Sequence, residues 1–344
     1  MRVSATAQQV AALAKVSQSA VSRTFTPGAS VSEATRKKVL EAAQQLGYRP
    51  NAIARSLITR RSRIVGLVMS YLENQFYPLV IERLSQMLQQ RGYHVLLFIG
   101  ELDESHGVLM EILQYQVEGI VLASTMLTSE LAKDCAQSGI PVVLFNRLSQ
   151  LPPGNPNQVS SVTSNNYAGG KKIANRLLDA GYRKIAFLAG LENSSTNKDR
   201  EKGFMETLAA RGASLHSRAV GNYSFEGAQE ATRLLFSSKR RPDAVFVAND
   251  HMAIAAMDVL RTELNLRIPE DVGIVGFDDV PQAAWGAYQL TTVRQSVELM
   301  VEATVDILSE QMEGQLRASR IVVPCDLVER SSLRPVSKSR TRAG

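Results

Sequence analysis

The chain has 344 residues, of which 44% are hydrophobic and 21% charged, values that exclude a wholly disordered protein. No apolar run approaches the ~20 residues needed to cross a bilayer, and the first residues lack the pattern of a signal peptide. We therefore expect a cytoplasmic protein of two or three domains with no membrane partner. Cys135 and Cys325 stand far apart, which excludes a disulfide scaffold and fits a reducing compartment.

The net charge of +6 is divided unevenly along the chain. Residues 1–63 carry 11 basic and 2 acidic side chains, residues 64–330 carry 24 and 31, and residues 331–344 carry 4 and none. A small basic module joined to an acidic body indicates a polyanionic partner for the first segment alone. A merely solvated basic surface is the alternative explanation.

The first fifty residues have the pattern of three short helices. Thr6 can cap the first, Ser17 can cap a second that begins at Gln18, and Ser32 can cap a third that ends at Gly47. The second helix has small apolar residues on one side and a polar arc on the other. Arginine can bind guanine in the major groove and glutamine can bind adenine, so this arc suits base recognition. The arc consists of Gln18, Ser19, Ser22 and Arg23.

After these three helices, the segment YRPNAIARSLITRRSR has the pattern of a further short helix, in which Asn51 after Pro50 can cap about eight residues. So short a helix is not stable alone in water. Two interpretations stay open at this point. The segment is either a frayed linker or a hinge that folds only when DNA and a second copy of the chain support it.

The segments VAALAKVSQSAVSRTF and VSEATRKKVLEAAQQLGYRPNAIARSL resemble the headpiece and hinge of the lactose/galactose repressor (LacI/GalR) family of bacterial transcription regulators. The similarity extends over roughly residues 3–330. The resemblance implies that the polar arc faces bases in the major groove. It also implies that two hinge helices enter the minor groove, where Leu57 wedges into a base step. The hinge residues implied to contact DNA are Asn51, Ala54, Arg55 and Leu57.

From residue 64 onward, short apolar strands alternate with helical stretches, and the pattern restarts after a Pro/Gly/Asn-rich break at residues 152–157. This pattern predicts two α/β lobes with mostly parallel sheets and a ligand crevice at the carboxyl ends of the strands. The resemblance likewise implies a body similar to periplasmic sugar-binding proteins, with three chain crossings between the lobes. The predicted division is a helix-turn-helix headpiece at 1–49, a hinge helix and linker at 50–63, an effector-binding and dimerisation body at 64–330, and a disordered basic tail at 331–344.

Polar residues end several of the predicted strands: Asn146 ends PVVLFN, Asn249 lies near the end of DAVFVAND, and Asp278 lies at the end of DVGIVGFDD. Amide, carboxylate and guanidinium groups in one crevice can bind neighbouring hydroxyls in pairs, which predicts a sugar or sugar derivative. Asn249 also fits a helix cap, Trp285 also fits the core, and Asp279 fits a loop or cap better than a ligand contact. The resemblance puts ligand contacts at Asn146, Arg200, Asn249 and Asp278, and an aromatic wall at Phe76, Tyr223 and Trp285.

The motifs of nucleotide-binding loops, serine hydrolases and zinc peptidases are absent from the sequence, and the four histidines have no metal-ligand spacing. We therefore predict no catalytic residues, no metal and no cofactor.

The leading hypothesis is a homodimeric repressor of carbohydrate genes that binds a pseudo-palindromic operator. Two other classes stay open: a transport protein that binds solutes, and a sugar enzyme with Asp278 as its base. The tail has no apolar heptad, so we expect no coiled-coil tetramer.

Overall fold

The computed structural model describes residues 5–26, 28–50, 61–69, 72–99, 111–123, 138–148, 159–315 and 317–336. The chain divides into two compact units, Met1–Ser62 and Arg63–Gly344. The predicted hinge contacts at Asn51, Ala54, Arg55 and Leu57 lie outside the described residues. No helix in the described ranges is both long and apolar enough to span a membrane.

The first unit contains the three predicted helices, α1 Ala7–Ala14, α2 Gln18–Thr24 and α3 Glu33–Leu46. Thr6 forms a capping box with Gln9, whose side chain accepts from the Thr6 N–H at 2.9 Å. The side chains of Ser17 and Ser32 accept backbone N–H groups at the starts of α2 and α3. Gly47 ends α3 with φ 63°, in the left-handed region that favours glycine. The predicted caps are confirmed.

A small core joins these three helices. Val10 of α1, Val21 of α2 and Val39 of α3 are completely buried and pack together with neighbouring alanines. The Arg36 guanidinium of α3 donates to the Thr24 carbonyl at 3.2 Å and ties the third helix to the end of the second. The buried side of α2 is therefore used for packing, which leaves its polar side exposed.

The second unit contains two six-stranded sheets. Their strands are β1 Ile64–Met69, β2 His94–Ile99, β3 Gly119–Leu122, β4 Val142–Phe145, β5 Ser160–Ser164, β6 Ile185–Ala189, β7 Ser217–Val220, β8 Ala244–Val247, β9 Gly273–Asp278, β10 Thr291–Gln295, β11 Arg320–Val323 and β12 Cys325–Val328. In the first sheet, all neighbours are parallel and the strand order is β11-β5-β4-β3-β1-β2. In the second sheet, the order is β12-β10-β9-β8-β6-β7, with β12 antiparallel to its neighbour and the other pairs parallel.

The chain passes between the two sheets three times: after β5, after β10 and between β11 and β12. Six of the twelve strands, β3 to β6, β8 and β9, are buried along their whole length, as expected for parallel sheets with helices on their faces. The predicted two-lobed α/β body is thus confirmed. The α-helices whose full bounds the structure describes in this unit are α4 Phe76–Gln90, α5 Asn166–Asp179, α6 Ser195–Ala210, α7 Phe225–Phe236, α8 Asp250–Asp258 and α9 Val297–Met312.

Helices α5 and α6 approach each other closely because glycines line their contact. A Cβ atom at Gly170 would lie 2.2 Å from the Arg200 carbonyl oxygen, and one at Gly203 would lie 2.0 Å from that of Tyr167. The two helices are therefore too close for a larger residue at either position. It also brings Arg200 of α6 beside Asn166, the first residue of α5.

The predicted end of the body at residue 330 is too early. Ser332 and Leu333 are buried, and the Ser332 hydroxyl donates to the Ile274 carbonyl while accepting from the Thr291 N–H. Arg334 stacks on the Tyr182 ring at 4.8 Å. These residues satisfy polar groups of β9 and β10, so they belong to the folded unit rather than to a free tail. Residues 337–344 lie outside the described residues.

Candidate functional sites

The polar side of α2 is a candidate surface for reading DNA. All four predicted side chains are exposed, whereas Val21 and Thr24 on the opposite side are buried. The Ser17 hydroxyl caps the helix and also lies 2.8 Å from the Ser19 hydroxyl. A partner can therefore approach the whole polar face without disturbing the core. The four exposed residues are Gln18, Ser19, Ser22 and Arg23.

The second candidate site is a cleft between the two lobes of the body. It lies where strands end: Asn146 directly follows β4, Asp278 ends β9, and Asn249 stands two residues beyond β8. The cleft contains about 230 Å³ of space, open to solvent. The part of this space that a water-sized sphere can enter is about 10 Å³, room for a single water molecule, so a sugar would require the lobes to separate. The lining residues are Asn74, Tyr77, Asn146, Thr196, Arg200, Tyr223, Asn249 and Asp278.

A buried ion pair lies at the base of the cleft. The Arg200 side chain is 3% exposed, and its Nη2 atom lies 3.5 Å from Oδ1 of Asp278. Its Nε atom donates to Asn166 Oδ1 at 2.9 Å, and its guanidinium stacks on the Phe277 ring at 3.7 Å. Each of these contacts orients the guanidinium, so Arg200 is held rigidly before any ligand arrives.

The Asp278 carboxylate is partnered from both lobes. Gln295 donates to it at 2.6 Å within its own lobe, and Asn74 donates to it from the other. Burial raises the pKa of Asp278, whereas Arg200 and these two hydrogen bonds act in the opposite direction. Asp250 lies nearby, and its pKa is raised by burial and by the charge of Asp278.

Asp279, by contrast, is a structural residue. Its carboxylate lies 2.6 Å from the guanidinium groups of both Arg294 and Arg330. It is absent from the lining of the cleft. The expectation that Asp279 serves the loop rather than the ligand agrees with this arrangement.

Two buried amides in the cleft each have one atom without a hydrogen-bond partner among the described residues. Asn249 Oδ1 accepts from the Met252 N–H at 3.0 Å and caps α8, while its Nδ2 is unpaired. Asn146 Oδ1 is unpaired as well, and the residue has φ 56°. Unpaired buried polar atoms are costly, so a ligand that supplies both a donor and an acceptor would stabilise this cleft. For Asn249, the cap and the ligand-facing role are compatible.

Among the described residues, the aromatic side chains that line the cleft are Tyr77 and Tyr223. Phe76 instead faces the core, where its ring centroid lies 6.5 Å from that of Phe145. Trp285 is 55% exposed and follows the 3-10 turn Pro281–Ala284 on the surface. The structure therefore corrects the predicted aromatic wall. Neighbouring helical residues point about 100° apart, which is why Tyr77 rather than Phe76 reaches the cleft.

Three lining residues were missed by the sequence prediction. Asn74 lies in the segment after β1, so the strand-end criterion applied to that strand would have found it. Tyr77 stands one residue beyond the predicted Phe76, and burial raises its pKa. Thr196 has no distinguishing pattern, and its place follows only from the packing of α6. Arg147, next to Asn146, has its pKa lowered by burial, an effect that Tyr77 opposes.

Comparison with known proteins gives two family matches. Residues 6–51 match the bacterial regulatory proteins of the lacI family, and residues 174–333 match a periplasmic binding protein-like domain. The chain is 35% identical to the HTH-type transcriptional regulator CelR of Thermobifida fusca, covering 95% of this chain and 98% of the relative. It is 30% identical to catabolite control protein A of Priestia megaterium, covering 92% and 95%.

Solved structures agree over the full length. A CelR–cellobiose complex has a TM-score of 0.72 at 31% identity, covering 95% of this chain and 99% of that one. A lac repressor dimer bound to operator and the anti-inducer ONPF has a TM-score of 0.86 at 26% identity, covering 97% and 100%. The chain thus belongs to the lacI family of bacterial transcription regulators. Because the relatives are named as regulators, the prediction of a ligand-responsive DNA-binding regulator is confirmed, and the enzyme and transport-protein alternatives are wrong.

Proposed function

We propose that the chain is a cytoplasmic, homodimeric repressor of carbohydrate genes whose affinity for a pseudo-palindromic operator is changed by a sugar. The CelR–cellobiose complex and the relative named ribose operon repressor support the sugar class. The lac repressor dimer on its operator supports two headpieces on two half-sites. A headpiece at residues 1–49, a hinge at 50–63 and a body that begins at residue 64 and includes Ser332 and Leu333 belong to the same proposal.

The observation that carries the sugar assignment is the pair of unpaired amide atoms beside a buried ion pair. Asn146 Oδ1 needs a donor and Asn249 Nδ2 needs an acceptor. A hydroxyl group is both, so adjacent hydroxyls of one sugar can satisfy the two amides. Arg200 and Asp278 offer a donor fork and an acceptor next to them. Tyr77 and Tyr223 supply the aromatic surface against which the apolar face of a sugar packs.

The base-reading role is assigned to Gln18, Ser19, Ser22 and Arg23, because these side chains are exposed on one face of a capped helix in a unit of high positive charge. The hinge residues Asn51, Ala54, Arg55 and Leu57 are assigned to the minor groove on the sequence resemblance alone. Phosphate contacts by this basic unit release counterions, so operator binding should weaken steeply with salt.

Regulation follows from contacts that exist only when the lobes are together. Asn74 donates to Asp278 across the cleft, and the Leu148 N–H donates to Ser195 Oγ at 3.1 Å. A sugar that enters competes for Asp278 and adds its own bonds to both lobes. It can shift operator affinity only by its differential affinity for the two arrangements of the body.

The test is operator binding by fluorescence anisotropy with palindromic fragments from the region upstream of the gene, repeated at increasing salt. We expect a salt-sensitive preference for one palindrome. Thermal-shift measurements with cellobiose, ribose, other sugars, sugar acids and purine bases should then show stabilisation by one compound that also changes operator affinity. Equal binding to all fragments would contradict the DNA assignment, and a response to a purine alone would contradict the sugar assignment.

A further inference from the structure

The Tyr223 ring lies directly on the backbone of Gly190, the residue that follows β6. A Cβ atom at Gly190 would come within 2.2 Å of Cζ, 2.3 Å of Cε1 and 2.6 Å of Cε2 of this ring. Ordinary carbon contacts are about 3.5–4.0 Å, so even one methyl group would force the ring to move by more than about 1 Å. Gly190 is not among the residues with positive φ, so its backbone would accept alanine without strain. The three heavy atoms nearest to such a Cβ all belong to this ring, so the ring is the first group that a side chain here would meet.

The turn that carries Tyr223 holds the ring in this position. Asn222 and Tyr223 have φ 54° and 59°, the left-handed region that non-glycine residues rarely adopt. The Gly221 N–H donates to the Ala189 carbonyl at 2.8 Å, and the Ser224 N–H donates to the Gly221 carbonyl at 2.9 Å. The turn is therefore fixed to the end of β6, the strand that leads into Gly190. A strained turn maintained by such bonds is typical of a functional site.

The hydroxyl end of the ring is held by the first turn of α6. Thr196 Oγ1 lies 3.4 Å from Tyr223 Oη and 2.7 Å from Ser194 Oγ. The Gly190 N–H donates to Asn197 Oδ1 at 2.8 Å. The same short segment thus supports the face of the ring through Gly190 and its tip through Thr196, and Tyr223 is only 5% exposed.

We infer that Gly190 is a positioning residue for effector binding: it sets how far the Tyr223 ring reaches into the cleft and so how much space a sugar has. This inference rests on the proposed role of the cleft. The ring has Gly190 on one face and lines the cleft together with Tyr77 and Arg200. A side chain at position 190 therefore displaces a ring that lines the cleft and changes the shape of the space beside it. Gly190 itself touches no ligand.

A double-mutant cycle tests the packing without any ligand. Gly190→Ala should lower the melting temperature of the full chain by on the order of 5 °C, as overpacking does. In a Tyr223→Ala background the same substitution should have no such effect, because the ring is gone, whereas in a Tyr223→Phe background the loss should persist. Gly286→Ala is the matched control, since a Cβ there meets nothing within 4 Å and its φ is not positive. An equal loss with and without the ring would overturn the inference.

The effector readout uses cellobiose, the sugar of the CelR complex. Gly190→Ala should weaken cellobiose binding by roughly tenfold or more and leave binding of the operator fragment unchanged, while Gly286→Ala should change neither. Unchanged cellobiose affinity in Gly190→Ala would overturn the positioning role. If the native chain binds the operator but not cellobiose, cellobiose is not its effector, and the double-mutant cycle still decides whether Gly190 places the ring.

Discussion

The recognition helix and the cleft use polar residues in opposite ways. On α2, the side chains of Gln18 and Arg23 are exposed, and neither forms a hydrogen bond with another described residue of the headpiece. In the cleft, Arg200 and Asp278 are nearly inaccessible and are bonded to each other and to their neighbours. The first site is a surface added to a folded unit, whereas the second is part of the fold.

This difference separates binding from stability at one site and couples them at the other. Replacing an exposed side chain of α2 removes a contact with DNA but leaves the three-helix core intact. Replacing a cleft residue removes a ligand contact and leaves a buried partner unsatisfied. A loss of effector response by a cleft variant is therefore informative only when its stability is measured too.

The sharpest test of this coupling is Arg200→Ala. Removing the guanidinium leaves Asp278 buried without its cation and Asn166 without its donor, so we expect a loss of about 3–5 kcal/mol in the free energy of unfolding. Urea denaturation measures it. Arg211→Ala is the control just beyond the end of α6, because Arg211 pairs with Asp179 on the surface and should cost at most about 1 kcal/mol. If Arg200→Ala and Arg211→Ala lowered the free energy of unfolding equally, the cleft would contribute no more to stability than the surface of the body does.

The opposite behaviour is expected for Arg23→Ala on α2. It should reduce discrimination at one operator base pair by about 1–3 kcal/mol and leave the unfolding free energy unchanged. Binding to the operator and to single-base variants, measured at constant salt, gives the discrimination. Lys37→Ala on the exposed surface of α3 should not change base preference. If Arg23→Ala weakens binding to all sequences equally, Arg23 contacts phosphate instead of a base.

The two sites also differ in how well the sequence predicts them. The α2 face depends on neighbours within one turn: the Ser17 cap, the buried Val21 and the polar arc follow from helical spacing. These features were predicted correctly because each depends on fewer than ten consecutive residues. The polar face of α2 could therefore be predicted without knowledge of distant contacts.

The cleft depends on contacts between residues that are far apart in sequence. Asn146, Asn249 and Asp278 were found because parallel strands bring their ends to one edge, a rule of topology. The aromatic residues were less predictable, because a change of about 100° along a helix decides between Phe76 and Tyr77. Trp285 lies just beyond a strand that ends in the cleft, yet a single 3-10 turn leaves it on the surface. Side-chain direction was the missing information.

A pH experiment tests how strongly the buried carboxyls of the body are coupled to folding. Burial raises the pKa of Asp250 above its unfolded value of about 4, so the folded state binds this proton more tightly. Its contribution to stability is therefore largest in acid and is lost as pH rises. Relative to Asp250→Asn, the native chain should lose about 1–2 kcal/mol between pH 5 and pH 8 in urea denaturation.

The control for that experiment is Asp271→Asn. Arg267 lowers the pKa of Asp271 to about 2, so the stabilising effect of this carboxylate is lost only as pH falls below its unfolded value. The stability difference between the native chain and Asp271→Asn should consequently be constant from pH 5 to pH 8. A constant difference for Asp250→Asn as well would show that Asp250 is not held in its neutral form by the fold.

The smallest expected effect concerns the N-terminal cap of α2. It tests whether operator binding by the α2 face depends on the stability of that helix. Ser17→Ala removes the cap of α2 and should cost about 1 kcal/mol of headpiece stability, measured by urea denaturation. Ser32→Ala removes the same kind of cap from α3 and should cost about the same. Only Ser17→Ala should also weaken operator binding, by roughly fivefold, because the first turn of α2 carries Gln18 and Ser19. Equal weakening by both caps would mean that DNA affinity depends on the stability of the whole headpiece rather than on the first turn of α2.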